Sequence, residues 1–281
     1  MRIRISADST CDLSPELIER YDVAITPLYI RLGDKDLKDS IEVTREDIFS
    51  YVEKTKSIPK TAAVNVGDYT AFFTKVKEEG YDGVVHFTIS ADMSSCYQNA
   101  CLAAQDFENV YIVDSRTLST GIGHLVLDAC ILRDEGKSAK EIFEILEERK
   151  KKLDVSFVLD TLRYLALGGR CNALLAFGAN LLNIKPSIQV KDGKMGVNQK
   201  YRCSFQRAVV RYVNDKLADH DSLDLKRIFI TDSGVPDEVF EAAKEAVLKN
   251  APFAEIHHTR AGCTISSHCG PNCIGILFYR K

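Results

Sequence analysis

Residues 82–115 read DGVVHFTISADMSSCYQNACLAAQDFENVYIVDS, which is a strand, a helix and a second strand in succession. The runs at 82–90 and 109–115 are short and rich in β-branched residues, a pattern typical of buried parallel strands. Ser94 and Ser95 begin a helical stretch between them. Parallel strands joined by a crossover helix form sheets that helices cover on both faces. This stretch therefore predicts an α/β fold.

The flanking sequence continues the alternation of strands and helices. Residues 2–8 contain Ile3 and Ile5 in a strand-like run, and Ser14 before Pro15 is a good N-cap followed by proline at the first helical position. Ser138 and Glu141 form a capping box that begins another helix. We expect residues 1–153 to form an N-terminal domain built on a parallel sheet.

The second half shows a different order of predicted strands and helices. A strand at 155–160 and a helical stretch ending at Gly168-Gly169 precede a hairpin whose turn is Asp192-Gly193. Further strands are expected at 227–231, 254–259 and 273–279, with a helix over residues 236–249. Residues 154–281 are therefore expected to form an α+β domain with a mixed or antiparallel sheet.

Composition limits the classes of function. The chain has 281 residues, of which 45% are hydrophobic and 27% charged, and a net charge of -3. A nucleic-acid-binding protein normally carries a basic surplus, so that class is disfavoured. The sequence shows no export signal and no apolar run of ~18 residues, so we expect a soluble cytoplasmic protein. The nine cysteines are expected to be reduced thiols.

Several polar loops are candidate sites. Asp8, Ser9 and Thr10 lie at the carboxyl end of the first strand, where ligands of α/β sheets bind, although a hydrogen-bonded turn leading to the helix is the favoured explanation of this loop taken alone. Ser94 lies at a helix N-terminus, which suits an anion, and a simple serine N-cap is the alternative. Arg170 follows two glycines and could meet a phosphate or carboxylate, unless it only faces solvent after a helix end.

The segment TISSHCGPNC, residues 264–273, crowds thiols around a histidine. A zinc site from Cys263, His268, Cys269 and Cys273 is disfavoured, because the spacing lacks paired knuckles. Cys269 as a nucleophile beside His268 is also disfavoured, because neighbouring residues of an extended chain point in opposite directions. We expect a histidine held in a Gly-Pro turn before a strand.

Together these motifs resemble the DegV family of bacterial fatty-acid-binding proteins. The resemblance runs from about residue 5 to 279 and depends on the number and order of the motifs. They are Asp8-Ser9-Thr10-Cys11-Asp12-Leu13, Pro59-Lys60-Thr61, Ser94 with Tyr97, Gln98 and Ala100, Val113-Asp114-Ser115 with Ser119, Gly121 and Gly123, Leu162 with Tyr164-Leu165 and Gly168-Gly169-Arg170, Lys185-Pro186, Asp192-Gly193, Arg202, and His268 with Gly270-Pro271.

The resemblance implies two α/β domains with a long-chain fatty acid, such as palmitate, stearate or oleate, between them. Its carboxylate would be held by Thr61 and Ser94, with His268 close by. Arg170 and Arg202 would lie at the rim, facing a separate ATP-dependent kinase subunit that converts the fatty acid to acyl phosphate for phospholipid metabolism. The supporting loops would contain Asp8, Ser9, Thr10, Ser115, Gly121, Gly169 and Gly270.

The resemblance also implies a protein that is itself no enzyme and holds neither cofactor nor metal. We expect a monomer that contacts membranes at most transiently. Where the family has serine, glutamine and proline after the threonine, this chain has Ala62-Ala63-Val64, so its pocket walls differ. Two alternatives stay open at this point: an acyl-ester hydrolase that uses Ser94 or Cys269 with His268, and a thiol-based metal or redox protein.

Overall fold

The fold is described by a computed structural model over residues 1–169 and 184–281. The strands are β1 (Ile3–Asp8), β2 (Ala24–Thr26), β3 (Tyr29–Leu32), β4 (Lys35–Lys38), β5 (Lys60–Ala62), β6 (Gly83–Thr88), β7 (Val110–Asp114), β8 (Leu153–Leu159), β9 (Lys185–Lys191), β10 (Lys194–Tyr201), β11 (Leu223–Asp232), β12 (Glu255–Arg260) and β13 (Cys273–Arg280). The helices are α1 (Pro15–Tyr21), α2 (Arg45–Thr55), α3 (Val66–Glu78), α4 (Cys96–Ala104), α5 (Thr120–Asp134), α6 (Ala139–Arg149), α7 (Arg163–Gly168), α8 (Phe205–Leu217), α9 (Asp237–Asn250) and α10 (Cys263–Cys269).

The N-terminal sheet is parallel, as residues 82–115 predict. Its strand order is β2-β1-β6-β7, and each neighbouring pair runs in the same direction. Every residue of β6 is buried, including the polar His86 and Thr88, as expected for a strand covered on both faces. After β1 the chain adds β2 on one side of it and then crosses over to place β6 on the other side. The loops at the carboxyl ends of strands at such a crossover point are where α/β proteins bind ligands.

The predicted helix starts are confirmed. Ser14 accepts a hydrogen bond from the backbone of Leu17 at the start of α1. Ser138 and Glu141 form the complete capping box of α6. Helix α5 is buried along nearly its whole length, in agreement with a sequence that is apolar almost all round.

A small antiparallel sheet of order β4-β3-β5 was not predicted. Its strands have three or four residues, and β4 alternates only one apolar side chain with charged ones. Such short strands carry too little pattern to be distinguished from loops in the sequence. This sheet matters because β5 carries Thr61.

The C-terminal sheet is mixed, as predicted. Its order is β10-β9-β8-β13-β11-β12, and only the β11–β12 pair among these neighbours is parallel. The hairpin between β9 and β10 turns at Asp192 and Gly193, which both have positive φ angles, 49° and 80°. That conformation is the one a two-residue Asp-Gly turn favours.

One apolar core joins the two large sheets. Ile5 and Val85 from the first sheet belong to the same buried cluster as Val155 and Leu277 from the second. The division into two domains near residue 153 stays a prediction. No helix of the described residues is both long and apolar enough to cross a membrane.

Candidate functional site

The segment around His268 is a helix, and this corrects the expectation of a turn. Residues Cys263–Cys269 form α10, and the Gly-Pro pair follows it. Thr264, Ile265, His268 and Cys269 are spaced at i, i+1, i+4 and i+5, so a helix places them on one face. All four line the same cavity. His268 and Cys269 therefore face the same cavity, and the prediction that they point in opposite directions was wrong.

Two buried carboxyl groups hold the start of α10. Asp39 accepts hydrogen bonds from the backbone N–H groups of Cys263 (2.9 Å) and Thr264 (3.2 Å) and from the Thr264 hydroxyl (2.6 Å). Asp12 accepts one from the backbone N–H of Gly262 at 2.9 Å. The backbone donors among them are N–H groups that a helix start leaves without partners in the helix. Carboxyl oxygens at this end also interact favourably with the helix dipole. A distant part of the chain thus positions α10.

Burial raises the pKa of Asp12 to about 8. The hydroxyl of Ser119 lies 2.5 Å from its carboxyl, and this hydrogen bond and the one from Gly262 lower the pKa without offsetting the burial. Asp12 therefore carries a proton over much of the neutral range.

Thr61 and His268 are in contact. The Thr61 hydroxyl on β5 lies 2.9 Å from His268 Nε2 on α10. The imidazole also packs against Gly168 at the end of α7, where a Cβ would lie only 2.5 Å from Nδ1. Glycine at 168 thus leaves room for the ring of His268.

A cavity opens beside this pair. It has an empty volume of about 530 Å³, its open side included. Thr61, Ser94, Thr264 and His268 give it polar groups, and none of its described lining residues is Asp, Glu, Lys or Arg. The apolar lining comes from loops at the carboxyl ends of the parallel strands, from β5 and the residue after it, and from α7, α10 and β10: Leu28, Ala62, Ala63, Ile89, Met93, Leu118, Leu165, Met195 and Ile265.

Ser94 lies at the mouth of the cavity. A more open depression, lined by Ser94, Ser95, Gln98 and the cavity residue Thr61, leads to it. The Ser94 hydroxyl contacts Cys96 Sγ at 3.2 Å and accepts the backbone N–H of Cys96 at 3.4 Å. Ser95, the N-cap residue of α4, makes no capping hydrogen bond with its side chain. The interpretation of these serines as a simple side-chain N-cap is therefore only partly right.

Asp8, Ser9 and Thr10 are structural supports. Asp8 accepts hydrogen bonds from Tyr69 (2.6 Å) and Thr26 (3.1 Å), which tie β1 to α3 and β2. The Ser9 hydroxyl donates to Asp39 at 2.9 Å and so helps to hold the carboxyl group that holds α10. Thr10 is buried. The same holds for Ser115, which is buried and pairs with the backbone of Thr117.

The predicted glycines lie where a side chain would not fit or would be strained. Gly121 packs so closely on Thr117 and Val155 that a Cβ would lie 2.7 and 2.8 Å from their atoms. Gly169 ends α7 with a φ of 66°. Gly270 ends α10 with a φ of 74°, and a Cβ there would lie 2.4 Å from the Tyr164 ring.

The structure describes only one of the two predicted rim residues. Arg170 lies outside the described residues. Arg202 is exposed between β10 and α8, and it is absent from the described lining of the cavity and its mouth. Their predicted place at the rim stays a prediction.

The cysteines near the site are small buried groups. Burial raises the pKa of Cys263 to about 12 and that of Cys273 well above its ordinary value. A thiol rather than a thiolate is present at neutral pH, whereas nucleophiles and metal ligands need the thiolate. Within residues 1–169 and 184–281, no group of three or more His, Cys, Asp or Glu side chains is placed to hold a metal ion.

Residue patterns did not indicate Asp39, Met93 or Met195. Asp39 lies between a charged strand and a helix and looks like an ordinary loop carboxylate. Met195 enters the cavity because the β9–β10 hairpin packs on the N-terminal sheet, with Ser90 donating to the Gly193 carbonyl at 2.8 Å. Such a contact between distant segments leaves no local signal in the sequence.

Known proteins resemble this chain along its whole length. The family model described as uncharacterised protein, DegV family COG1307, matches residues 2–281. A DegV domain-containing protein of Clostridium acetobutylicum is 29% identical over 283 residues, covering 100% of this chain and 99% of the relative.

Solved structures show the same fold. A fatty-acid-binding DegV family protein from Thermus thermophilus is 31% identical, with a TM-score of 0.92 and 100% of both chains covered. A stearic-acid-binding protein from Eubacterium ventriosum is 26% identical, with a TM-score of 0.86, and the match covers 100% of this chain and 99% of that one. The mixed and parallel sheets described above are thus those of known lipid-binding proteins.

Proposed function

The chain belongs to the DegV family, and we propose that it binds a long-chain fatty acid whose carboxylate lies beside Thr61, Ser94 and His268. The observation that carries the proposal is the apolar cavity with its polar groups gathered around the Thr61–His268 pair. The binding of fatty acids by the Thermus thermophilus and Eubacterium ventriosum relatives supports it.

The physical chemistry of the cavity suits this ligand. Each buried methylene contributes ~0.8 kcal/mol, so a chain of about fourteen gives roughly 11 kcal/mol before the costs of ordering and desolvation. A carboxylate is costly to bury without partners. Two hydroxyl groups, an imidazole and the N-terminus of α4 can offset that cost at the mouth.

Mass spectrometry of protein purified under native conditions tests the proposal, and a fatty acid of defined length should be found. Delipidated protein should then bind palmitate more tightly than methyl palmitate, which has the same chain without the charged head group. A protein that is purified empty and also refuses palmitate would overturn the proposal.

The contacts support binding rather than ester hydrolysis. A serine hydrolase needs its nucleophile within hydrogen-bond reach of its base. Here His268 Nε2 lies 2.9 Å from Thr61, while the Ser94 hydroxyl contacts Cys96. We expect no burst of nitrophenol when the protein is mixed with nitrophenyl palmitate, and a burst that Ser94→Ala abolishes would favour the hydrolase.

The proposal extends to a kinase partner that receives the bound fatty acid. That partner would transfer the γ-phosphoryl group of ATP to a carboxylate oxygen, which leaves ADP and an acyl phosphate. The support is the family resemblance and the open depression beside Thr61 and Ser94, where the head group is proposed to lie. A pull-down from the native host should recover an ATP-binding protein, and Arg170→Ala should impair acyl phosphate formation while fatty-acid binding is kept.

A further inference from the structure

A second, inner chamber adjoins the cavity. It has an empty volume of about 350 Å³ and lies over the C-terminal sheet, where Phe157 and Leu277 contribute to its wall. Leu118, Ile265 and Cys269 line both spaces and so form the partition between them. Any chain that enters the inner chamber from the mouth must pass these three side chains.

The inner chamber offers an apolar surface although its wall contains several hydroxyl groups and the carboxyl group of Asp232, which is already paired with His258 and Arg260. The Ser119 hydroxyl is hydrogen-bonded to Asp12, Ser156 to Tyr212 at 2.9 Å, and Ser233 to the Gly270 carbonyl. Thr231 is hydrogen-bonded on two sides, to Thr120 at 2.6 Å and Thr259 at 2.8 Å. These groups already have partners inside the protein, so the chamber suits a hydrocarbon and not a head group.

Cys269 and Cys273 lie at two depths along this path. Cys269 is in the partition, whereas Cys273 lines only the inner chamber. The two thiols are in contact, and burial together with this neighbour raises the pKa of Cys273. Both side chains are small, and larger ones would fill space that a ligand could use.

We propose that the inner chamber holds the methyl end of the acyl chain and that Cys269 and Cys273 set the longest chain this protein accepts. This inference rests on the proposed function and defines its ligand class more closely. The ligands would be unbranched acids whose chains are too long for the cavity beside Thr61 and His268 alone. Each methylene that is shut out lowers the affinity by about fourfold.

Delipidated protein titrated with saturated acids from octanoate to stearate tests the inference. Wild-type affinity should rise with each methylene to a plateau. Cys269→Leu should reach its plateau at the shortest acid and Cys273→Leu at an intermediate one. Cys203→Leu is the matched control, because Cys203 packs against a separate apolar cluster and should leave the length profile unchanged.

Leu118→Phe narrows the passage between the two spaces from a different segment of the chain. It should lower the acid length at which affinity reaches its plateau, as Cys269→Leu does. Either variant can therefore test the inference if the other fails to fold. Variants that bind and follow the wild-type length profile would overturn the inference. A wild-type protein that binds none of the acids would instead overturn the proposed function.

Discussion

The hydroxyl of Thr61 lies 2.9 Å from Nε2 of His268, although 207 residues separate them in the chain. One side chain comes from the small sheet and the other from α10, whose start is bound by Asp39 and Asp12. The candidate site therefore depends on contacts between segments that are far apart in sequence.

Replacing Thr61 by valine should weaken palmitate binding by about 1–3 kcal/mol, or about 5-fold to 150-fold, because the carboxylate and His268 both lose a hydrogen-bonding group. Titration calorimetry with delipidated protein measures the change. Thr55→Val is the control, because that exposed hydroxyl donates to the Tyr51 carbonyl away from the cavity. An unchanged affinity for Thr61→Val would place the head group elsewhere.

Ser94→Ala should also weaken binding by about 1–3 kcal/mol, because the carboxylate loses one donor at the mouth. Ser95→Ala provides the comparison, since Ser95 is exposed and lines only the outer depression. The two dissociation constants for palmitate should differ clearly. Equal effects would argue against a specific contact with Ser94.

The sequence predicts the large elements better than the site. Strands such as β6 and helices such as α5 carry strong local patterns, and the hairpin turn is specified by Asp192-Gly193. Helix α10 has no such pattern, because its sequence CTISSHC is poor in helix-forming residues. Distant carboxyl groups fix its start, and a local pattern cannot reveal them.

The pairing of Thr61 with His268 illustrates the same limit. Residue types alone indicated a histidine near a strand but not which hydroxyl it would meet. The family resemblance placed both residues at one ligand, and the structure brings them into contact. The carboxylate-binding role of the pair stays a prediction that the substitutions above address.

Gly168→Ala should lower fatty-acid affinity without a matching loss of stability. The new Cβ would lie 2.5 Å from His268 Nδ1, so the ring must move away from its position beside Thr61. Alanine is otherwise favoured over glycine in a helix by about 1 kcal/mol. Titration should therefore show a weaker affinity for palmitate, while urea unfolding should show no matching loss in the free energy of unfolding.

Gly196→Ala is the control for that variant, because nothing lies within 4 Å of a Cβ added there. Its affinity for palmitate should equal that of the wild type. If Gly168→Ala also bound palmitate normally, the position of the His268 ring would not matter for binding.

Asp12 should lower the stability as the pH rises from about 4 to about 8, whereas His124, whose pKa burial lowers to about 3, should raise the stability up to about pH 6.5. Burial raises the pKa of Asp12 to about 8, so the folded state keeps a proton that the unfolded chain releases above its ordinary pKa of 3.8. At this group the unfolded protein thus binds fewer protons in this window, and the contribution of Asp12 to the free energy of unfolding decreases with pH by at most ~1.4 kcal/mol per unit. Urea unfolding across the window measures the slope.

Asp12→Asn should remove this contribution, because the amide stays neutral and can still accept the Gly262 N–H. The free energy of unfolding of the variant should therefore rise relative to that of the wild type as the pH increases from about 4 to about 8. Asp34→Asn, at an exposed carboxyl, should leave the wild-type slope unchanged. If the difference in free energy of unfolding between Asp12→Asn and wild-type protein stayed constant between about pH 4 and about pH 8, Asp12 would be ionised in the folded state.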